Sequence, residues 1–171
     1  MARVVLVRAV NVGGAQLPMA ELRELATQLG ATDVSTYIAS GNLLCNPPGE
    51  SADFDRALEA AVEARFGFFR EVISRTASEL QAALDAFPFD RRELKYCHLY
   101  FLAGEPTPVA AEALAGRGLE QLEVIGRDLH IRYSAGVAST KLTTPLIHRT
   151  LGVVGTGRNL DTVAKLIELA S

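Results

Sequence analysis

Apolar and polar positions along the chain switch between a two-residue and a 3.6-residue period, and the switches predict an alternating order of strands and helices. Arg3 to Val10 is apolar or β-branched at both parities, the pattern of a central strand covered on both faces. Beyond the loop Asn11-Val12-Gly13-Gly14, Pro18 opens a helix whose apolar stripe is Met19, Leu22, Leu25, Ala26 and Leu29, ended by Gly30. Val34, Thr36 and Ile38 then alternate with Ser35, Tyr37 and Ala39. Leu43 to Asn46 follow across Ser40-Gly41-Asn42, either as a hairpin or as one bulged strand. Ser51 caps a second helix with the inner face Phe54, Leu58, Ala61, Val62 and Phe66, and Phe68 to Ser74 is a fourth strand. Thr76-Ala77-Ser78-Glu79 has the form of a capping box and opens a further helix.

The second half repeats this outline. Tyr96 to Ala103 is a strand, and Thr107-Pro108 starts a helix that runs through Leu114 to Gly116. Leu119 to Ile125 and Leu129 to Tyr133 form a hairpin around Gly126-Arg127-Asp128. Its alternation turns Leu122, Val124, Leu129, Ile131 and Tyr133 inward and Gln121, Glu123, His130 and Arg132 toward water. Pro145 begins a helix to Leu151, Val153-Val154 allows a short last strand, and a closing helix from Asn159 buries Leu160, Val163, Leu166 and Ile167. Each half therefore reads β-α-β-β-α-β followed by a helix. The expected fold is α+β, two ferredoxin-like halves packed together, with lobes at residues 1–90 and 91–171.

Composition narrows the function classes. The formal charge of −3 is uneven: residues 1–90 carry 7 Lys/Arg against 12 Asp/Glu, and residues 91–171 carry 10 against 8. A mildly acidic whole argues against general nucleic-acid binding, which needs a basic surface to neutralise phosphates. Cys45 and Cys97 lie in strand-like apolar runs, as two buried, reduced thiols would. No apolar run approaches the roughly 20 residues that span a bilayer, and the N-terminus lacks a signal-type segment. A cytoplasmic protein without a membrane partner is expected. Its oligomeric state is not encoded in any of these patterns.

Three separated segments carry a family resemblance: Arg8-Ala9-Val10-Asn11-Val12-Gly13-Gly14, Thr36-Tyr37-Ile38-Ala39-Ser40-Gly41-Asn42, and Thr156-Gly157-Arg158-Asn159-Leu160-Asp161-Thr162-Val163-Ala164-Lys165-Leu166. In this order they resemble the R-G-(I/V)-N-V-G-G, T-Y-I-x-S-G-N and T-x-R-N-(W)-x-T-V-x-K-L segments of a bacterial domain-of-unknown-function family. The similarity spans essentially the whole chain. Ala9 departs from the first glycine and Leu160 from the aromatic residue, which questions a need for positive φ at the one and a stacking role at the other. The resemblance implies an α+β fold and names no activity, cofactor or catalytic residue.

The polar residues that such a fold could gather are Arg8, Asn11, Gly13 and Gly14 with Thr156, Arg158 and Asn159, joined by Lys141, and with Ser40 and Asn42 lining the same inter-lobe cleft. Helix N-termini offer unpaired N–H groups and arginine a bidentate fork, so the ligand they suit is a small phosphate- or carboxylate-bearing molecule. The structural alternative is that Asn11 shapes a turn, Asn159 caps the last helix and Arg158 pairs with an acid. Nucleotide signatures are missing: there is no G-x-x-x-x-G-K-(S/T), and Gly155 to Leu160 lacks the third glycine of a dinucleotide loop. His98, His130 and His148 show no i, i+4 pairing, and Cys97 and His98 point to opposite faces of a strand, so neither a metal site nor a cofactor is expected. No residue is assigned as acid, base or nucleophile. Two further readings remain open: a single-stranded RNA platform, with Tyr96, His98 and Tyr100 on one strand face, and a protein-interaction module using Phe66, Phe68 and Phe69.

Overall fold

Arg-Val-Val-Leu-Val forms the first strand, β1 (Arg3–Val7), with Val4 to Val7 fully buried in a computed structural model that describes residues 2–12 and 14–171. The chain continues through α1 (Met19–Gln28), β2 (Thr32–Thr36), β3 (Asn42–Asn46), α2 (Ser51–Phe66), β4 (Val72–Thr76) and α3 (Ala77–Ala86). It then forms β5 (Cys97–Leu102), α4 (Pro108–Ala115), β6 (Gln121–Ile125), β7 (Asp128–Arg132), α5 (Thr144–Leu151), β8 (Gly155–Asn159) and α6 (Leu160–Ala170). The described residues thus hold two four-stranded antiparallel sheets and six α-helices, a mixed α+β structure. Contacts divide the chain into two compact units, residues 1–80 with 166–171, and residues 81–165. No helix among the described residues is long and apolar enough to cross a membrane.

In unit 1 the strand order is β2-β3-β1-β4. One sheet face carries Val5, Val7, Leu43 and Cys45, and α1 and α2 bring Leu22, Leu25, Ala26, Phe54, Leu58 and Val62 to the same core. These helix positions recur at three and four residues, so each helix buries one stripe, and every large side chain removed from water contributes about 1.5–3 kcal/mol. Gly67, at φ 78°, ends α2 by donating its N–H to Glu63 O. The edge strand β4 is closed off by α2: the Val72 N–H donates to Glu59 Oε2 at 2.8 Å, and Arg56 Nη2 donates to Val72 O at 2.7 Å. One turn earlier Asp55 Oδ2 accepts from Ser74 Oγ at 2.6 Å. Such side-chain pairing blunts an edge that would otherwise template strand addition.

In unit 2 the order is β6-β7-β5-β8. Tyr100, Leu102, Leu129, Ile131 and Tyr133 pack with Leu114, Leu142, Leu146, Ile147 and Leu151 into its core. The helix starts follow the sequence signals: Thr107 Oγ1 accepts the Ala110 N–H, Thr143 Oγ1 the Leu146 N–H, and Asn159 Oδ1 the Thr162 N–H. Thr76 and Glu79 close the capping box of α3 reciprocally, at 3.1 and 2.9 Å. Cys45 and Cys97 are both buried and free, and burial pushes the Cys45 thiol up to about 11.

Several expected boundaries move, each for a local reason. β1 stops at Val7 because Ala9 and Asn11 take φ 52° and 57°, outside strand geometry. Ser51 is the first residue of α2 rather than its cap; Glu50 holds the cap position without a side-chain bond. β4 begins at Val72, not Phe68, since Phe66 and Phe68 stack on each other at 5.8 Å before the strand starts. The last strand is Gly155–Asn159 rather than Val153-Val154. Its glycines are the cause: a Cβ on Gly157 would lie 2.7 Å from Tyr100 Cε1, so the bare backbone lets the tyrosine ring lie across the strand. His130 does not face water. It is fully buried, with the ring of Phe87, which follows α3, packed against it at 5.8 Å between ring centres, while Gln121 and Glu123 on the edge strand β6 are exposed.

Two outcomes follow from these placements. A Gly157→Ala substitution forces the added methyl into the Tyr100 ring and is expected to destabilise the protein by roughly 1–3 kcal/mol, read as a fall in Tm. Burial, with neither ring nitrogen of His130 hydrogen-bonded, holds its pKa down at about 4. The folded value is thus depressed below the unfolded value of about 6.5. The stability this neutral ring allows is complete above pH 6.5 and declines as pH falls toward 4, by about 3 kcal/mol at most. Urea melts between pH 4 and 7 should show that slope flattened in His130→Leu; an unchanged slope would assign the acid sensitivity elsewhere.

Candidate functional site

The chain leaves β1 at Val7 and folds back on itself through two left-handed residues, and the polar groups around that reversal satisfy one another. The Asn11 carboxamide donates from Nδ2 to Leu17 O at 2.9 Å and to Ala39 O at 2.6 Å, and its Oδ1 accepts the Leu17 N–H at 2.8 Å. One side chain thereby joins the β1–α1 loop to the β2–β3 connection. Gly41 completes the junction: its carbonyl accepts the Val7 N–H at 2.9 Å, and a Cβ there would meet Val7 O at 2.7 Å and Val10 Cγ2 at 2.8 Å. With φ at 81°, only glycine fits this position. The connection between β2 and β3 is a hairpin rather than one bulged strand, although a register shift falls within it between Thr32 and Ser35.

The expected ligand residues fall into two groups. In unit 1, Arg8, Asn11, Ser40 and Asn42 gather at this loop end, with exposed Gly14 beside them; Gly13 lies outside the described residues. Arg8 Nε meets Glu71 Oε1 at 2.8 Å, so its charge is compensated within the loop end. Asn42 is buried and donates to Tyr37 O and Ser40 Oγ, both at 3.1 Å. In unit 2, Thr156 and Arg158 lie in β8, where Arg158 Nη1 donates to Thr156 Oγ1 at 2.7 Å and to Gly157 O at 2.8 Å. Burial lowers the Arg158 guanidinium to about 10. Asn159 is the α6 cap, and Lys141 stands exposed on the loop between β7 and α5.

Ala9, the residue read as departing from a glycine, takes φ 52°. The position does need the left-handed region, so alanine carries backbone strain there that a glycine would avoid.

Arg70 was not singled out by the sequence, and it is the cation the loop end leaves uncompensated. Its Nε donates to Ala9 O at 3.2 Å, its Nη1 to Phe69 O at 2.8 Å, and its guanidinium carbon lies 5.3 Å from the Phe68 ring centre. Among the described residues no carboxylate pairs with it. The signal was its position directly after Phe68-Phe69, which a strand beginning at Phe68 concealed. Two carbonyls and a ring face fix the fork, and a preorganised guanidinium binds a carboxylate or phosphate with little ordering cost.

Other polar clusters are internally engaged. An open depression of about 480 Å³ in unit 2 includes Glu120, Gln121, Arg132 and Ser134 in its lining. There Glu120 accepts from the Ser134 N–H and from Thr140 Oγ1, and Arg132 Nη1 donates to Arg92 O and Cys97 Sγ. Tyr100, on the strand face read as a stacking platform, is buried in the unit 2 core, and His98 sits edge-on to Tyr133 at 5.1 Å. Among the described residues no group of three His, Cys, Asp or Glu side chains could hold a metal ion.

The chain is similar in fold to a solved protein, the conserved bacterial protein SP0830 from Streptococcus pneumoniae, at 24% identity and a TM-score of 0.72 over 99% of this chain and 98% of that one. No curated protein matches it. Residues 1–130 match the family model described as protein of unknown function (DUF1697), and the chain belongs to that family.

Proposed function

We propose that the chain is a binding protein for a small carboxylate- or phosphate-bearing molecule, received at the loop end of unit 1. The observation that carries this reading is Arg70, a guanidinium held by Ala9 O, Phe69 O and the Phe68 ring and left without an acidic partner among the described residues. A second feature supports it. The segments Arg8–Gly14 and Thr36–Asn42, two of the three by which the sequence resembles its family, are the segments that Asn11 ties together beside this arginine. We further infer that each unit is ferredoxin-like: β2-β3-β1-β4 and β6-β7-β5-β8 are the orders expected when a βαββαβ chain places its first and third strands side by side at the centre. The two buried, free thiols support a reducing, cytoplasmic setting.

Thermal melts with inorganic phosphate and with acetate test the site. At ten times Kd, bound anion stabilises by about 1.4 kcal/mol, which for a chain of this length raises Tm by roughly 3–6 °C. Arg70→Ala should abolish the rise, and Arg70→Lys should keep only part of it, because an ammonium cannot reproduce the planar fork. Equal rises in wild type and Arg70→Ala would remove Arg70 from the site.

A further inference from the structure

Ile38 has a backbone φ of 50° and is 53% exposed. Branching at Cβ makes the left-handed region especially unfavourable, so this conformation strains the loop. About half of the residue lies in water, so burial offsets only part of that strain. Of the exposed large apolar residues described, Ile38 alone has positive φ. Glycine or asparagine would fit the backbone there with less strain.

Two more exposed apolar residues belong to the same hydrogen-bonded loops. Val12, 64% exposed, follows Asn11, whose Nδ2 binds Ala39 O next to Ile38; Phe69, 46% exposed, precedes Arg70, whose Nε binds Ala9 O. Strain fixed at a surface and only partly offset by packing points to recognition.

We propose, on the reading that Arg70 receives an anion, that the ligand is amphiphilic: a carboxylate or phosphate on Arg70, attached to an apolar body that lies against Ile38, flanked by Val12 and Phe69. The charged fork and the apolar side chains are complementary to the two ends of such a molecule. An inorganic ion would use only one of them. Ile38 is thus a specificity-determining residue, and its strain is retained for the side chain it holds outward.

Phenyl phosphate and inorganic phosphate serve as probes, with affinities measured by calorimetry on the full chain. Wild type should bind phenyl phosphate about tenfold more tightly, the gain from burying part of an apolar ring. Ile38→Asn, whose side chain tolerates the left-handed region, should keep its affinity for inorganic phosphate and lose that preference, while Ile38→Val retains it. Ile38→Gly should lose the preference as well and melt no lower than wild type, and up to roughly 6 °C higher, because the relieved strain exceeds glycine's added unfolded-state entropy. A tenfold preference surviving in Ile38→Asn, or no preference in wild type that binds phosphate, overturns the apolar contact and leaves the anion site standing. Failure of wild type to bind either probe, and acetate as well, overturns both.

Discussion

Asn11 holds the loop end of unit 1 together, because one carboxamide answers three backbone groups on two segments that follow β1. Its bonds to Leu17 N–H, Leu17 O and Ala39 O fix where α1 is entered and where the β2–β3 connection lies. A backbone group left unsatisfied in such a place costs on the order of 1–3 kcal/mol, so a residue that cannot both donate and accept would open the loop end. Asparagine also tolerates the φ of 57° required here, which ties the hydrogen-bonding role and the conformational role to one residue. Everything presented outward, from Val12 to Ile38 and Arg70, is placed by bonds that begin from this junction or from its neighbour Ala9.

The periodicity of the chain carried most of the architecture. Helices α1, α2 and α6 announce themselves by stripes at three and four residues, and the capping box at Thr76 to Glu79 closes as its spacing implies. What alternation alone does not contain is the position of a strand within its sheet. The β6–β7 hairpin has one amphipathic pattern, yet β6 is an edge and β7 is interior, where Phe87 packs against the sheet, so the same polar parity is exposed in Gln121 and Glu123 and buried in His130. β8 was hidden for the opposite reason. Gly-Thr-Gly-Arg-Asn has poor strand propensity, and it pairs with β5 because Tyr100 needs the space that Gly157 leaves.

The site was partly legible. The residues Arg8, Asn11, Ser40 and Asn42 lie at one end of unit 1, but in the structure Asn11 is engaged with backbone, Asn42 with backbone and Ser40, and Arg8 with Glu71. Sequence gives the capacity of a side chain to bond, not whether its neighbours have already used that capacity. Arg8 illustrates the point, since Glu71 arrives from 63 residues away to compensate it. Arg70 lies one residue before that glutamate, yet its guanidinium is directed to carbonyls, which fix its position without cancelling its charge.

That distinction decides what the loop end can do. A carboxylate partner would neutralise the guanidinium and turn it into a structural strut, whereas carbonyl oxygens and an aromatic face hold it while leaving a full positive charge for an incoming anion. The surroundings sharpen the effect. Residues 1–90 carry a net negative charge, so an anion gains nothing from long-range attraction and must find its stabilisation in short contacts at Arg70 itself. The binding proposed for Arg70 rests on geometry more than on steering, and geometry is what the strained, mutually bonded loops supply. A loop relaxed at Ala9 or Ile38 would fold with less strain and present its side chains less firmly, so stability and recognition pull in opposite directions at these two residues.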